Sequence, residues 1–201
     1  MSKKDYIIPS LAIIAVIALI IRGPIAQNQD YHVFADARKL FDIPNFFNVI
    51  TNLPFALIGL FGMQVVSSMK EKKLKHISFT ICTGFLLVTI GSGYYHLRPN
   101  NNTLVYDRIP IIIIVMSFFA FIIYDSINSK RGYEGLIIFN IIGVMSVIYW
   151  IITEHKGNGD LRWYGMVQFF PILAIPVMLR LYNSTFKHWK QIALIFLLFG
   201  I

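Results

Sequence analysis

Six stretches of about twenty consecutive apolar residues, with a shorter seventh, constrain this chain more than any other feature. They fall at roughly 6–22, 46–68, 76–97, 106–124, 133–153, 162–181 and 190–201. A helix rises about 1.5 Å per residue, so each longer stretch can cross about 30 Å of hydrocarbon. In lipid a segment must satisfy its own backbone hydrogen bonds, which leaves helices and closed barrels. The alternating polar–apolar pattern of a barrel is absent. The 201 residues are 56% hydrophobic and 14% charged, too few polar groups to cover a soluble domain of this size. The expected fold is therefore all-α: a polytopic transmembrane helix bundle of about seven spans, the last incomplete, forming a single domain over 1–201. No internal repeat is visible, and no loop is long enough to be a soluble domain.

The first apolar run follows Met-Ser-Lys-Lys-Asp and could be a signal peptide. Only "GPIAQ" approaches a cleavage site, so an uncleaved first helix is the better reading. The single cysteine, Cys82, excludes an intrachain disulfide and reads as a small core residue. The net charge of +8 fits loops facing anionic lipid and the cytoplasm rather than nucleic acid. With the N-terminus in the cytoplasm, eleven of the basic residues fall on that side and seven on the other, and "KEKKLK" at 70–75 anchors the choice.

This orientation gathers the polar residues of the spans at one depth, near the extracytoplasmic interface. Asn48 and Asn52 lie at the start of the second span, Ser92 and His96 at the end of the third, and Asp107 at the start of the fourth. Tyr164 and Gln168 follow "GDLRW" at the start of the sixth. The pairs four apart share a helix face. Polar groups in a bilayer face the bundle interior, pair with each other or mark a functional cavity. For the asparagines, hydrogen bonding between helices is the simpler reading. For His96 with Ser92 and Asp107 together, a functional site is.

An imidazole near a carboxylate suits general-base work or metal ligation. Serine and histidine on one helical turn differ from the usual strand–turn–helix nucleophile. A zinc ion takes about three protein ligands, and His96 is the only obvious one. His76 and His188 fall at the other membrane face, while His32 and His155 follow no ligand spacing. The spacings alone leave the chemistry open.

The pattern Ser92-x-x-x-His96 followed by Asp107 resembles the alkaline ceramidase family, within the CREST superfamily of membrane hydrolases that includes the adiponectin-type receptors. "YHVFADARKLFDIPNFFNVITNLPFALIGLFG" and "GDLRWYGMVQFFP" resemble blocks of its bacterial branch. The resemblance runs from about Tyr31 to Pro176 and rests on three blocks in order. It implies a zinc-dependent hydrolase of ceramide or a related lipid, with a membrane lipid as partner and a multi-pass place in a bacterial inner membrane. By the same resemblance, His96 is the first of three histidine ligands. Ser92 acts near the metal or oxyanion, and Asp107 moves a proton or orients the water. Asn48, Asn52, Tyr164 and Gln168 would support substrate or structure. Asp36, Asp42 and Asn45 lie where eukaryotic relatives bind calcium, although a solvated loop also explains them.

The family's other two zinc ligands form an H-x-x-x-H pair at the start of its last helix. That pair is absent, and Tyr164-x-x-x-Gln168 copies only its spacing. The final run, 190–201, is about half a bilayer long, so the expectation is a chain lacking its last helix. A non-catalytic, lipid-binding or receptor-like relative is the alternative. Near-absence of charge in mid-span disfavours a transporter, and the absence of a mid-span lysine disfavours a retinal protein. Oligomeric state is left open.

Overall fold

A computed structural model describes residues 3–186, 190, 191 and 194. A short 3-10 turn, Lys3–Tyr6, leads into α1 (Ile7–Arg22). A long irregular segment with one 3-10 turn, Gln29–His32, then reaches α2 (Phe46–Ile50) and α3 (Leu53–Ser67). Four longer helices follow: α4 (Lys72–Leu97), α5 (Asn101–Ser126), α6 (Ser129–His155) and α7 (Arg162–Leu181). Among the described residues there is no named strand, and six helical stretches are long and apolar enough to cross a membrane. The seventh expected run, 190–201, lies almost wholly outside the described residues.

The second expected span is found as Phe46–Ser67, with a turn at Thr51–Asn52 that divides it into α2 and α3. One expectation needs correction. The fourth span does not begin near Asp107. Its helix starts at Asn101, because Asn100 accepts from the backbone of Asn102 and Thr103 while the Thr103 hydroxyl accepts from the Asn100 N–H. This capping box satisfies donors that the first turn would otherwise leave orphaned, and it puts Asp107 in the second turn. The side chains of Asn128 and Glu71 also accept from first-turn backbone N–H groups of α6 and α4, extending both beyond their apolar runs.

α5 is the hub, packed on α4, α6 and α7, while α3 packs on α4 and α1 on α7. Neighbouring spans run antiparallel. The tightest approach is between α4 and α5 at Gly91, where an added Cβ would stand 1.9 Å from the carbonyl oxygen of Tyr106. Small residues let helix backbones meet in lipid, where packing rather than water exclusion drives association. α1 buries no residue, as expected of a helix that meets lipid on most sides. α7 contains Pro171 and Pro176, each removing a backbone donor from the helix ladder.

Gly91→Ala should destabilise the protein by about 1–3 kcal/mol through overpacking. Gly93→Ala, whose Cβ would meet nothing within 4 Å, should be nearly silent. Thermal unfolding of both variants in detergent checks this; equal melting temperatures would contradict the contact.

Candidate functional site

The α4–α5 seam is a ladder. Antiparallel packing sets Ser92 beside Asp107, then Val88 beside Ile111, Phe85 beside Ile114 and Ile81 beside Phe118, each of which lines one cavity of about 510 Å³. The spacings are four, three and four residues on both helices, the rhythm of a helix seam. Phe55 of α3 and Pro171, Ile172 and Ile175 of α7 complete the wall. The volume lies within the range of about 300–1,000 Å³ typical of small-molecule sites. Among the described lining residues, Ser92 and Asp107, at one end, are the only polar side chains. The Ser92 hydroxyl faces the Asp107 carboxyl, and both side chains are buried.

His96 stands one turn beyond Ser92. Phe34 packs against its ring at 4.7 Å between centroids, and Tyr95 lies at 5.2 Å. Its Nδ1 is buried without a hydrogen-bond partner. Its backbone carbonyl accepts from the Asn45 side chain at 2.8 Å. Asn45 can reach it because its backbone is left-handed, φ 50°, a conformation asparagine tolerates.

The segment between α1 and α2 folds across this end of the bundle. Ile25 accepts from the Leu161 N–H, and the Gln27 N–H donates to Glu154. His32 bonds the Tyr95 hydroxyl at 3.0 Å and Asn101 at 2.8 Å. Beneath it lies Arg108, which the sequence presented only as one more basic residue. Arg108 is 5% exposed. Its guanidinium lies 3.9 Å from the Trp150 ring, 4.4 Å from Tyr164 and 6.0 Å from Tyr31, and it donates to Gln27 at 2.6 Å. Aromatic faces and a neutral amide thus hold a buried cation beside Asp107.

The expected site residues fare differently. Ser92 and Asp107 meet at the cavity, His96 is adjacent, and Tyr164 joins through Arg108. Gln168 does not line the cavity. Asn48 donates to the Asp36 carbonyl, and Asn52 to the carbonyls of Asn48 and Val49, so both brace backbone around the α2–α3 break. Asp36 is bound by Arg38, which holds its carboxyl at about 2, and Asp42 pairs with Lys39 at 2.7 Å.

No group of three His, Cys, Asp or Glu that could hold a metal occurs among the described residues. His32 and His155 have ring nitrogens engaged by Tyr95, Asn101 and Asn102, and His76 by Tyr133. His188 lies outside the described residues. The buried, unpartnered Nδ1 of His96 is suited to one metal bond, but a zinc ion takes about three such ligands, so the described residues do not complete a zinc site. Of the residues expected at a calcium site, Asp36 and Asp42 are engaged by Arg38 and Lys39, and the Asn45 side chain by the His96 carbonyl.

The family model described as Ceramidase matches residues 41–201. The chain belongs to the ceramidase family. No curated protein and no solved structure gave a significant match. The ceramidase match spans all of α2 to α7, and therefore includes Ser92, His96, Asp107 and Arg108. The segment at 23–40 that folds over them lies before it.

The α6–α7 loop of this ceramidase-family chain also buries an ion pair. Asp160 accepts two bonds from the Arg162 guanidinium, each 2.9 Å, one from the Arg162 backbone N–H at 3.1 Å, and one from the Tyr149 hydroxyl. Arg162 holds the Asp160 carboxyl below its usual range. A lowered value stabilises the fold at pH above the ordinary carboxylate value and loses that contribution as pH falls through the lowered one. Asp160→Asn should therefore cost about 1–3 kcal/mol at pH 7. The gap from the unaltered protein should shrink below about pH 4. Melting curves across pH check it; a constant gap would contradict it.

Proposed function

We propose that this chain is an integral-membrane amidohydrolase that cleaves the amide bond of ceramide or a related lipid. The observation that carries the reading is the serine–carboxyl pair closing one end of an otherwise apolar cavity, in a chain of the ceramidase family. A lipid amide has the matching form: a polar bond to be broken, with a hydrocarbon tail beside it. The positive-inside bias supports a cytoplasmic N-terminus, which would put the site near the extracytoplasmic interface, and the block resemblance supports a bacterial inner membrane.

In hydrolysis, water adds to the amide carbonyl, the C–N bond breaks, and the amine leaves with a proton. Asp107 is the group at the cavity suited to take the proton from water at a carboxylate oxygen and return it to the departing nitrogen. Ser92 holds that carboxylate in place through its hydroxyl, which can rotate toward the substrate carbonyl. The apolar wall below excludes water from the tail. We infer zinc as the cofactor; when bound, it would polarise the carbonyl and acidify water. His96 is the one described residue assigned to hold it. The incomplete donor set favours a second reading, a lipid-binding relative without catalysis.

Activity of the purified protein in nanodiscs on ceramide-type amides, with metal content by mass spectrometry, separates the two. Asp107→Asn should lower turnover by at least about 100-fold. His96→Ala should remove both turnover and bound zinc. Unchanged turnover in Asp107→Asn would sink the catalytic reading. Lipid binding without turnover in the unaltered protein would favour the second one.

A further inference from the structure

Among the described residues, packed side chains lie below the far end of the cavity, and its near end is polar. One turn below Ile81 and Phe118, the next pair of the ladder is Ile77 and Ile122, both fully buried. Ile81 packs onto the cluster of Ile77, Ala120 and Leu136, while Phe118 and Ile175 belong with the cluster around Phe119, Ile122 and Met178. Below the last open rung, the α4–α5 seam is therefore solid protein. Above it the described lining residues include no polar side chain until Ser92 and Asp107.

We propose that this seam is a ruler for one hydrocarbon tail of the lipid, with Ile81, Phe118 and Ile175 as its floor. The proposal rests on the reading of Ser92 and Asp107 as the amide-cleaving end. Eleven residues separate the polar rung from the floor on each helix, about 16 Å at 1.5 Å per residue. A carbon–carbon bond of about 1.5 Å at a tetrahedral angle advances an extended chain by about 1.25 Å, so the depth matches about 13 carbons.

Length discrimination here does not come from leaving water, because a tail in the bilayer has already left it. It comes from fit. A longer tail must displace the packed Ile77–Ile122 rung or buckle above it, and a shorter one leaves wall atoms without contacts. The residues that set the optimum are thus those of the floor, far from the bond that breaks.

The test is turnover by purified protein in nanodiscs on two amide series, one varying the acyl chain and one the sphingoid base. One series should peak near about 13 carbons beyond the amide and fall about tenfold when the tail grows by one further rung. The series that peaks identifies which tail enters. Phe118→Ala should move the optimum to longer tails, and Ile81→Phe to shorter ones. The milder Phe118→Leu serves if either fails to fold. Each shift is a ratio between substrates within one preparation, so loss of folded protein alone does not produce it. A flat profile in both series, or an optimum unmoved by the floor variants, overturns the ruler and leaves the amidase reading standing. If no amide is cleaved, the amidase reading fails. The ruler is then judged by thermal stabilisation with the same lipids, where a flat length dependence overturns it.

Discussion

Backbone contact between α4 and α5 at Gly91 governs the rest of the structure. A side chain there would collide with the Tyr106 carbonyl, so glycine is what lets the two helices meet closely enough for the Ser92 hydroxyl to face Asp107. Once that level is set, helix geometry dictates the rungs below it. A one-turn slip would put Ser92 opposite Thr103 or Ile111 and leave the Asp107 carboxyl buried without its hydroxyl partner. An unpartnered buried carboxylate is far costlier than a shift in apolar packing. The polar pair and the glycine therefore define the same register from opposite directions, one by attraction and one by sterics.

Arg108 extends this logic to the other face of α5. Consecutive residues on a helix point about 100° apart. Asp107 can thus face α4 while Arg108 faces α6 and α7. The cation is fixed by Trp150, Tyr164 and Gln27, which draw it away from direct pairing with the carboxylate. It balances the charge of Asp107 without occupying its oxygens. The α1–α2 segment takes part through Gln27 and Tyr31, so this connection is an integral wall of the site and not a mere linker.

Much of this is legible in the amino-acid sequence. Ser92 and Asp107 can be matched because a four-residue spacing fixes a helix face and a short turn forces antiparallel neighbours to share a depth. Hydropathy misplaces the start of α5 because it ignores caps. The cue is Asn100, three residues before Thr103 and outside the apolar run. Asn48 and Asn52 look like a polar face, yet their partners are backbone carbonyls at a helix break, and no spacing rule announces such a break. Arg108 is hidden by its use as a topological charge, since burial among aromatics depends on three elements distant in sequence. The cavity is illegible because an apolar stripe on a helix reads the same whether it meets protein or a void.

That last ambiguity has a physical root. In water an empty apolar groove of this size would be costly, and its lining would close on itself. In a bilayer, lipid tails and side chains are comparably apolar, so a groove beside a packed seam can stand open at little expense. Here Pro171, Ile172 and Ile175 of α7 form its facing wall. Pro171 and Pro176 interrupt the hydrogen-bond ladder of α7. Below it, Ile175 and Met178 return to close packing against Phe119 and Ile122. Proline thus separates an open upper half from a sealed lower half. A bundle built for stability alone would extend the lower packing upward; stopping it one turn below Phe118 leaves a compartment suited to a chain already dissolved in the membrane.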